Sequence, residues 1–525
     1  MTVSTLLALT PQLIVATGIV FALLLIAWQR SQQIIALFSL GVLLLALLAT
    51  LLSFTNSSTA VTPLVIVDDY SRYAFVLVCL TGICVIYLSR FMLSRQVEVH
   101  DEYYVLVLLV ILGAGILVVS DHYASLFLGF ELLSLSLVGL VAYLRESKYS
   151  VETGFKYLIL SASASSFMLL GIAFIYAYTG SLGFSSTAPS AAPAIIAKAL
   201  TDSSLIDTGL INNGLYQLGI ILFLCGMAFK LSLAPFHFWT ADVYQGAPTP
   251  VTLLLATISK LAVFIVLVKC FFSTPQWQAM QGISQQGSSL QGGIVIIAIL
   301  SMLVGNILAL KQQSIKRILG YSSIAHMGYL FIVLAISSVA TVAFAWQTVL
   351  FYFTAYVVAT LSVFTVITLY ELNNQQINDV TVADWQGLFW QQPLLAILAI
   401  MGLLALAGIP LTAGFIGKFY LIHLASQNQL WWLLSSLIIG SGISLAYYLP
   451  IIFQLFAQSK AEISSSIIII KPLVSESVST DIIDNTNVNW QAGYSKILVL
   501  LLIFTGLGLG IFPDALSRLL SELSF

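Results

Sequence analysis

Residues 226–250 read GMAFKLSLAPFHFWTADVYQGAPTP. Eleven uncharged residues follow Lys230 before Asp242, counting His237 as neutral, and Pro235 lies among them. A lysine at the centre of a membrane helix costs about 2.5–3.5 kcal/mol on insertion scales. Proline adds a second fault, because it has no N–H and its ring clashes with the carbonyl four residues back, here Leu231. The helix is therefore expected to loosen just after Lys230. Backbone groups freed at membrane depth are tolerated only against protein or water. Together the two faults describe one feature, a water-accessible gap with a titratable group at its edge.

The rest of the chain supplies the membrane context. Of 525 residues, 59% are hydrophobic and only 8% charged, with a mean hydropathy of +1.02. Soluble domains carry roughly a quarter charged residues, and here apolar runs near the ~20 residues that cross a bilayer recur throughout. The fold class is all-α, a polytopic membrane protein; the alternating strands of about ten residues that build a β-barrel are not seen. A net charge of −2 offers no basic footprint for nucleic acid. No Lys or Arg precedes Arg30, so the first apolar run reads as a retained span and not a cleaved leader. Cys79, Cys84, Cys225 and Cys270 lie in or at the end of apolar runs without C-x-x-C spacing, which argues against an iron–sulfur or zinc site.

Fourteen spans are predicted, near 11–28, 34–54, 70–89, 103–119, 122–144, 155–179, 215–246, 251–271, 292–310, 317–338, 343–371, 393–427, 430–457 and 494–512. The seventh and twelfth are too long for one plain span, and each holds a proline near its middle, Pro235 and Pro410. Connections after odd-numbered spans carry Arg30, Arg90, Arg95, Arg145, Lys148, Lys311, Lys316, Arg317, Lys460 and Lys471. Those after even-numbered spans carry only Arg72, Lys198 and Lys269. Positive charge marks the cytoplasmic side, so the odd connections are predicted there and both termini on the opposite side. The two broken spans lie five apart, and an odd offset inverts one unit relative to the other. Residues 103–271 (spans 4–8) and 292–457 (spans 9–13) are thus predicted to form an inverted pair, the architecture that places ion sites at broken helices. The polar connection 458–492 is predicted as a cytoplasmic loop, with Ile467–Ile470 either a short strand or a segment against the membrane.

Four charges fall deep inside spans: Glu131 in LFLGFELLSL, Lys230 in GMAFKLSLAP, Lys260 in LATISKLAVF and Lys418 in GFIGKFYL. Together they would cost on the order of 10 kcal/mol if additive, comparable to the whole stability of a protein. Burial favours the neutral form of either residue type, and a nearby opposite charge favours the charged form. A Glu–Lys pair whose separation changes is therefore a proton switch. The bland readings apply elsewhere. Lys156, Lys269 and Lys496 lie near span ends and are expected to snorkel, and Glu152 and Lys156, four apart on one helical face, to form an ion pair. His237, after the Pro235 break, and His326, among Ser322 and Ser323, are candidate proton carriers because imidazole titrates near neutral pH. The spacing Gly506-x-Gly508-x-Gly510 lies in an apolar span without a preceding strand and reads as helix packing. No nicotinamide, flavin or phosphate site is apparent.

FLGFELLSL, SVETGFKYLILSASASSF, GMAFKLSLAPFHFWTADVYQGAPTPV, SIKRILGYSSIAHMGYL and LAGIPLTAGFIGKFYL resemble the N-subunit family of bacterial NADH-quinone oxidoreductase, respiratory complex I, an antiporter-like membrane subunit. The likeness covers about residues 100–450, weakens over the first hundred and is loose in the 458–492 loop. It implies a fourteen-helix antiporter fold with inverted repeats and broken helices seven and twelve. It also implies that Glu131 and Lys230 are the family's switch pair, Lys260 its connecting lysine and Lys418 its terminal proton carrier. Further, it implies proton translocation coupled to electron transfer from NADH to quinone, with no cofactor in this chain and NADH, FMN, iron–sulfur clusters and quinone held by other subunits. The expected partners are other membrane subunits of that complex, neighbouring antiporter-like subunits among them, and the lipid bilayer. A subunit of a multi-subunit sodium/proton antiporter of the same fold is the alternative. A mere scaffold would gain nothing from four buried charges.

Overall fold

An apolar run in lipid leaves its backbone no hydrogen-bond partner but itself, so it closes into a helix. The computed structural model describes residues 7–28, 31–54, 58–94, 101–144, 148–184, 208–273, 289–336, 341–373, 379–457 and 489–523. The helices run α1 (Thr10–Trp28), α2 (Gln32–Ser53), α3 (Asp69–Leu93), α4 (Glu102–Val119), α5 (Tyr123–Val141) and α6 (Lys148–Thr179). Next come α7a (Thr208–Lys230), α7b (Thr240–Gly246), α8a (Thr249–Ala256), α8b (Ile258–Ser273), α9 (Ser289–Ala309), α10 (Ile315–Leu330) and α11 (Val342–Asn373). The chain then continues through α12a (Pro393–Ala407), α12b (Ala413–Gln427), α13 (Trp431–Phe456) and α14 (Asn489–Ile511). Among the described residues, eleven spans are helices long and apolar enough to cross a membrane. The other three are the broken α7 and α12 and the last span, which bends by 78° into a short helix, Pro513–Glu522. The protein is thus an all-α polytopic membrane protein, with spans six and seven starting earlier than the sequence predicts. The loop expected over 458–492 falls mostly outside the described residues.

Helix burial ranks the spans. The most apolar window of Thr249–Ser273 is 100% buried inside the chain and that of α11 94%, against 33% for α1. The interior is therefore built on α8, α10 and α11, where side chains meet protein on every side, and α1, α2, α6 and α9 form the rim. Two helix pairs approach to backbone contact. A Cβ on Gly113 would lie 2.7 Å from Leu133 N, between α4 and α5. A Cβ on Gly305 would lie 2.7 Å from Ala325 N, between α9 and α10.

On the face of the even-numbered connections, strands β1 (Thr59–Thr62) and β2 (Val65–Val67) form an antiparallel hairpin. Asp68 caps α3 beside it, its carboxylate accepting from Ser71 N–H at 2.7 Å. Here one expectation is corrected. Lys269 does not snorkel to water; it is buried in an ion pair with Asp68 at 2.9 Å and donates to Ile66 C=O at 3.2 Å. Its acceptors come from a segment two hundred residues earlier, so the terminal position of Lys269 in its own span did not reveal them. Lys156 does pair with Glu152, at 2.8 Å.

Candidate functional site

The break in α7 begins at its lysine. After Lys230, Ser232 takes a left-handed backbone conformation (φ 62°). Leu233 N–H then donates to Ala228 C=O at 2.9 Å and Ser232 N–H to Phe229 C=O at 3.0 Å, closing the helix with a left-handed cap. Trp239 Nε1–H adds a bond to Phe229 C=O at 3.0 Å. This revises the expected role of Pro235. The helix has already ended at Lys230, so Pro235 lies within a nine-residue non-helical segment, 231–239, and makes no clash with Leu231. α12 is broken the same way. Gly408 (φ 76°) donates to Ala405 C=O at 3.1 Å, and Ile409 N–H to Leu404 C=O at 3.2 Å. Pro410 again follows the cap.

Lys230 is wholly buried, and its Nζ donates to Ser134 Oγ at 2.8 Å and Tyr157 OH at 2.7 Å. It also faces the rings of Phe130 and Tyr157, 5.5 and 5.2 Å from their centroids. Glu131 makes no direct ion pair with it. The two interact electrostatically, and Ser134, which Lys230 does bond, lies one turn along α5 from Glu131. Glu131 Oε1 is buried without a hydrogen-bond partner among the described residues. Yet Glu131 belongs to an outer stripe of α5 whose Leu128 and Leu135 are exposed.

Lys260, also wholly buried, donates to Ser323 Oγ on α10 at 2.6 Å and lies 5.8 Å from the centroid of Tyr244 on α7b. Tyr244 OH is 3.4 Å from the same Ser323 Oγ. One turn beyond Ser323, His326 Nδ1 is hydrogen-bonded to Tyr352 OH at 2.6 Å. Its ring packs against Tyr329 and Tyr356, with centroids 5.7 and 5.2 Å apart. His326 also lies within electrostatic reach of both Lys260 and Lys418.

Lys418 reaches back from α12b across its break and donates to Ala407 C=O at 2.7 Å. Its Nζ is 5.4 Å from the Tyr329 ring centroid. Asn306, Tyr329 and Tyr447 are linked by bonds of 2.9 and 3.0 Å that hold this ring in place. Gly510 of α14 packs directly on the break, where a Cβ would run into Leu411 C=O. Gly506 and Gly508 have no such contact, so only one glycine of the three has the packing role expected for the group.

Three lysines, His326 and a series of hydroxyls thus run through the interior of α5–α7, α8, α10 and α12. His237 stands outside this series. It is buried, stacked on Phe238 with centroids 4.7 Å apart, and its Nδ1 has no hydrogen-bond partner among the described residues. Sequence reading missed Ser134, Tyr157, Tyr244, Ser323, Tyr329, Tyr352 and Asn306. The nearest signal was the presence of Ser322 and Ser323 beside His326.

A family model described as NADH:quinone oxidoreductase/Mrp antiporter, TM, matches residues 120–444, more than half of the chain. A chain of respiratory complex I from Thermus thermophilus, solved with bound aureothin, is 28% identical; the match covers 98% of this chain and 100% of that one, with a TM-score of 0.74. A chain of the archaeal membrane-bound sulfane sulfur reductase is 22% identical over 98% of this chain and 96% of its own, with a TM-score of 0.74. A chain of the Mrp complex from Dietzia sp. DQ12-45-1b is 20% identical over 99% of this chain and 97% of its own, with a TM-score of 0.75. The last two show a shared fold. The buried lysines and the two capped breaks therefore sit in a chain that belongs to the NADH:quinone oxidoreductase/Mrp antiporter membrane family.

Proposed function

We propose that this chain is a proton-translocating membrane subunit of an NADH:quinone oxidoreductase. The observation that carries the reading is the buried row Lys230–Lys260–Lys418, in which Lys230 bonds Tyr157, Lys260 bonds Ser323 beside Tyr244, and Lys418 and His326 both lie against Tyr329. Buried ionisable groups are costly in a membrane interior and mark ion pathways. A proton taken up from the cytoplasmic side reaches Lys230, passes to Lys260 through hydroxyls and water, and moves by way of His326 to Lys418. Glu131 sets the timing by moving closer to or further from Lys230. His237 assists at most from the gap beside Lys230.

The oxidoreductase is favoured over a sodium/proton antiporter by the 28% identity over the full length of the Thermus complex I chain, against 20% for the Mrp chain. NADH, FMN, iron–sulfur clusters and quinone then belong to other subunits. Glu131, partly buried and flanked on α5 by exposed Leu128 and Leu135, supports a neighbouring membrane subunit over that stripe, because an ionisable group near lipid is expensive. The inverted pair 103–271 and 292–457 is supported by the equal offset of the two capped breaks and of the two glycine contacts. The bacterial inner membrane is what the resemblance to the bacterial complex I subunit implies, and the positive charges of the odd connections support periplasmic termini. Tags at residue 146 and at the C-terminus should therefore label opposite sides.

The decisive experiment purifies the tagged chain with its partners and measures proton uptake by vesicles supplied with NADH. NADH- and quinone-binding chains should co-purify, and Lys230→Ala should stop proton uptake in an assembled complex. Full uptake by that variant would overturn the relay, and a retinue without redox chains would favour the antiporter reading.

A further inference from the structure

α7b is seven residues long and carries contacts of two kinds. Inward, Tyr244 lies against Lys260 and near its acceptor Ser323. Outward, Asp242 stands between two cations. Arg317 on α10 donates to its Oδ1 at 2.8 Å, while Lys156 on α6 lies 3.9 Å from its Oδ2 and pairs more closely with Glu152 at 2.8 Å. Arg317 also donates to Gln245 Oε1 at 2.8 Å, and Gln245 donates to Asp379 at 2.7 Å.

The two cations stand on the helices that hold the buried lysines. Lys156 is adjacent in sequence to Tyr157, the acceptor of Lys230. Arg317 is on the same helix as Ser323, the acceptor of Lys260. α7b is packed against α10 through Gly320, where a Cβ would meet the Tyr244 ring at 3.3 Å. α7b packs closely on both sides, since a Cβ on Gly246 would lie 2.6 Å from Thr153 Oγ1 on α6, and what differs is the ion pairing of Asp242, short to Arg317 and long to Lys156. Asp242 and Lys156 are 42% and 49% exposed and Arg317 25%, and ion pairs in contact with solvent are worth little individually, so Asp242 is able to change partner.

We propose that Asp242 is a positioning residue for the lysine relay: by pairing with Arg317 or with Lys156, it ties α7b and Tyr244 to the Lys260 side or frees them toward Lys230. The inference rests on the relay reading given above. Asp242 touches no transferred proton and acts through Tyr244.

The test uses the whole complex in vesicles, with proton uptake, assembled amount and thermal stability measured together. Lys156→Gln removes the second partner and leaves the Arg317 pair intact. Assembly and melting should be unchanged, and proton uptake should fall roughly five- to tenfold, the range of an ordinary coupling between sites. The double exchange Asp242→Arg with Arg317→Asp restores the α10 pair but sets a cation against Lys156. Uptake should stay low in it, whereas a purely structural ion pair would be rescued. Wild-type uptake by Lys156→Gln, or full rescue by the exchange, overturns the proposal. Should the exchange fail to assemble, Lys156→Gln decides alone, since that side chain is 49% exposed. Lys230→Ala is run beside them. If it is inactive while Lys156→Gln is normal, the Asp242 proposal falls and the relay stands; if Lys230→Ala is active, both fall.

Discussion

In α7 the lysine comes before the break, and in α12 it comes after. Lys230 occupies the last turn of α7a and is held by hydroxyls from two other helices, Ser134 of α5 and Tyr157 of α6. Lys418 stands in α12b and reaches back to Ala407 C=O, a main-chain oxygen at the end of α12a. The two caps are alike, with a left-handed residue and two bonds closing each first half. What differs is who holds the amine. A lysine held by neighbouring helices changes its acceptors whenever those helices shift. A lysine held by its own broken span keeps its acceptor whatever its neighbours do. The first arrangement suits a switch and the second a fixed station on the route.

The largest expected effect attacks the fixed station. Gly408 has φ 76°, and a Cβ there would come 2.7 Å from Lys418 Cδ and 2.9 Å from its Nζ. Gly408→Val should therefore strain the cap and push the lysine off its acceptor together. We expect destabilisation of about 1–3 kcal/mol from the backbone alone, with proton uptake lost in whatever complex assembles. Thermal unfolding and vesicle uptake check the two parts. A variant that assembles and translocates normally would mean that Lys418 does not depend on the geometry of its break.

The switch should respond to deletions that leave the backbone untouched. Ser134→Ala combined with Tyr157→Phe removes both acceptors of Lys230 while keeping its apolar surroundings. Bonds to charged groups are worth about 1.5–3 kcal/mol each, so proton uptake should fall by at least about tenfold. Tyr329→Phe is the matching change beside Lys418. It keeps the ring under the amine and removes the hydroxyl bonded to Asn306, one neutral hydrogen bond worth about 0.5–1.5 kcal/mol net, so its effect should be smaller than that of the double variant. Equal losses in the two variants would erase the distinction between switch and station.

The positions of these sites were legible in the sequence, but the contacts that define them were not. Four charges stood out because apolar spans make any charge conspicuous. Gly408 followed by Pro410 reads as a helix end, since glycine is the usual left-handed residue there and proline often follows. Ser232 gave no such sign, so the α7 break was attributed to Pro235, which lies beyond the cap. Hydroxyl partners such as Ser134 and Ser323 are common in membrane helices, and only tertiary packing shows which of them meet an amine. Lys269 shows the same limit, because its partner Asp68 lies two hundred residues away. Glu131 carried a signal that went unused: Leu128, Glu131 and Leu135 recur at helical spacing, but periodicity alone does not say which face is outward.

The smallest expected effect returns to the caps. Ser232 is a non-glycine residue in the left-handed region, which costs roughly 1–2 kcal/mol relative to the ordinary helical conformation, and Gly408 fills the equivalent position without that cost. Ser232→Gly should relieve the strain while adding glycine's own entropy in the unfolded chain, about 0.5–1 kcal/mol in the opposite sense. The net change should be a stabilisation of about 0–1.5 kcal/mol, seen as a small rise in melting temperature. Its effect on uptake carries the sharper information. Ser232 lies two residues from Lys230, and its Oγ is buried without a hydrogen-bond partner among the described residues. If that hydroxyl only tolerates burial, uptake in Ser232→Gly matches the wild type. If uptake falls although stability rises, the hydroxyl belongs to the switch, and the two breaks differ in chemistry as well as in the order of lysine and cap.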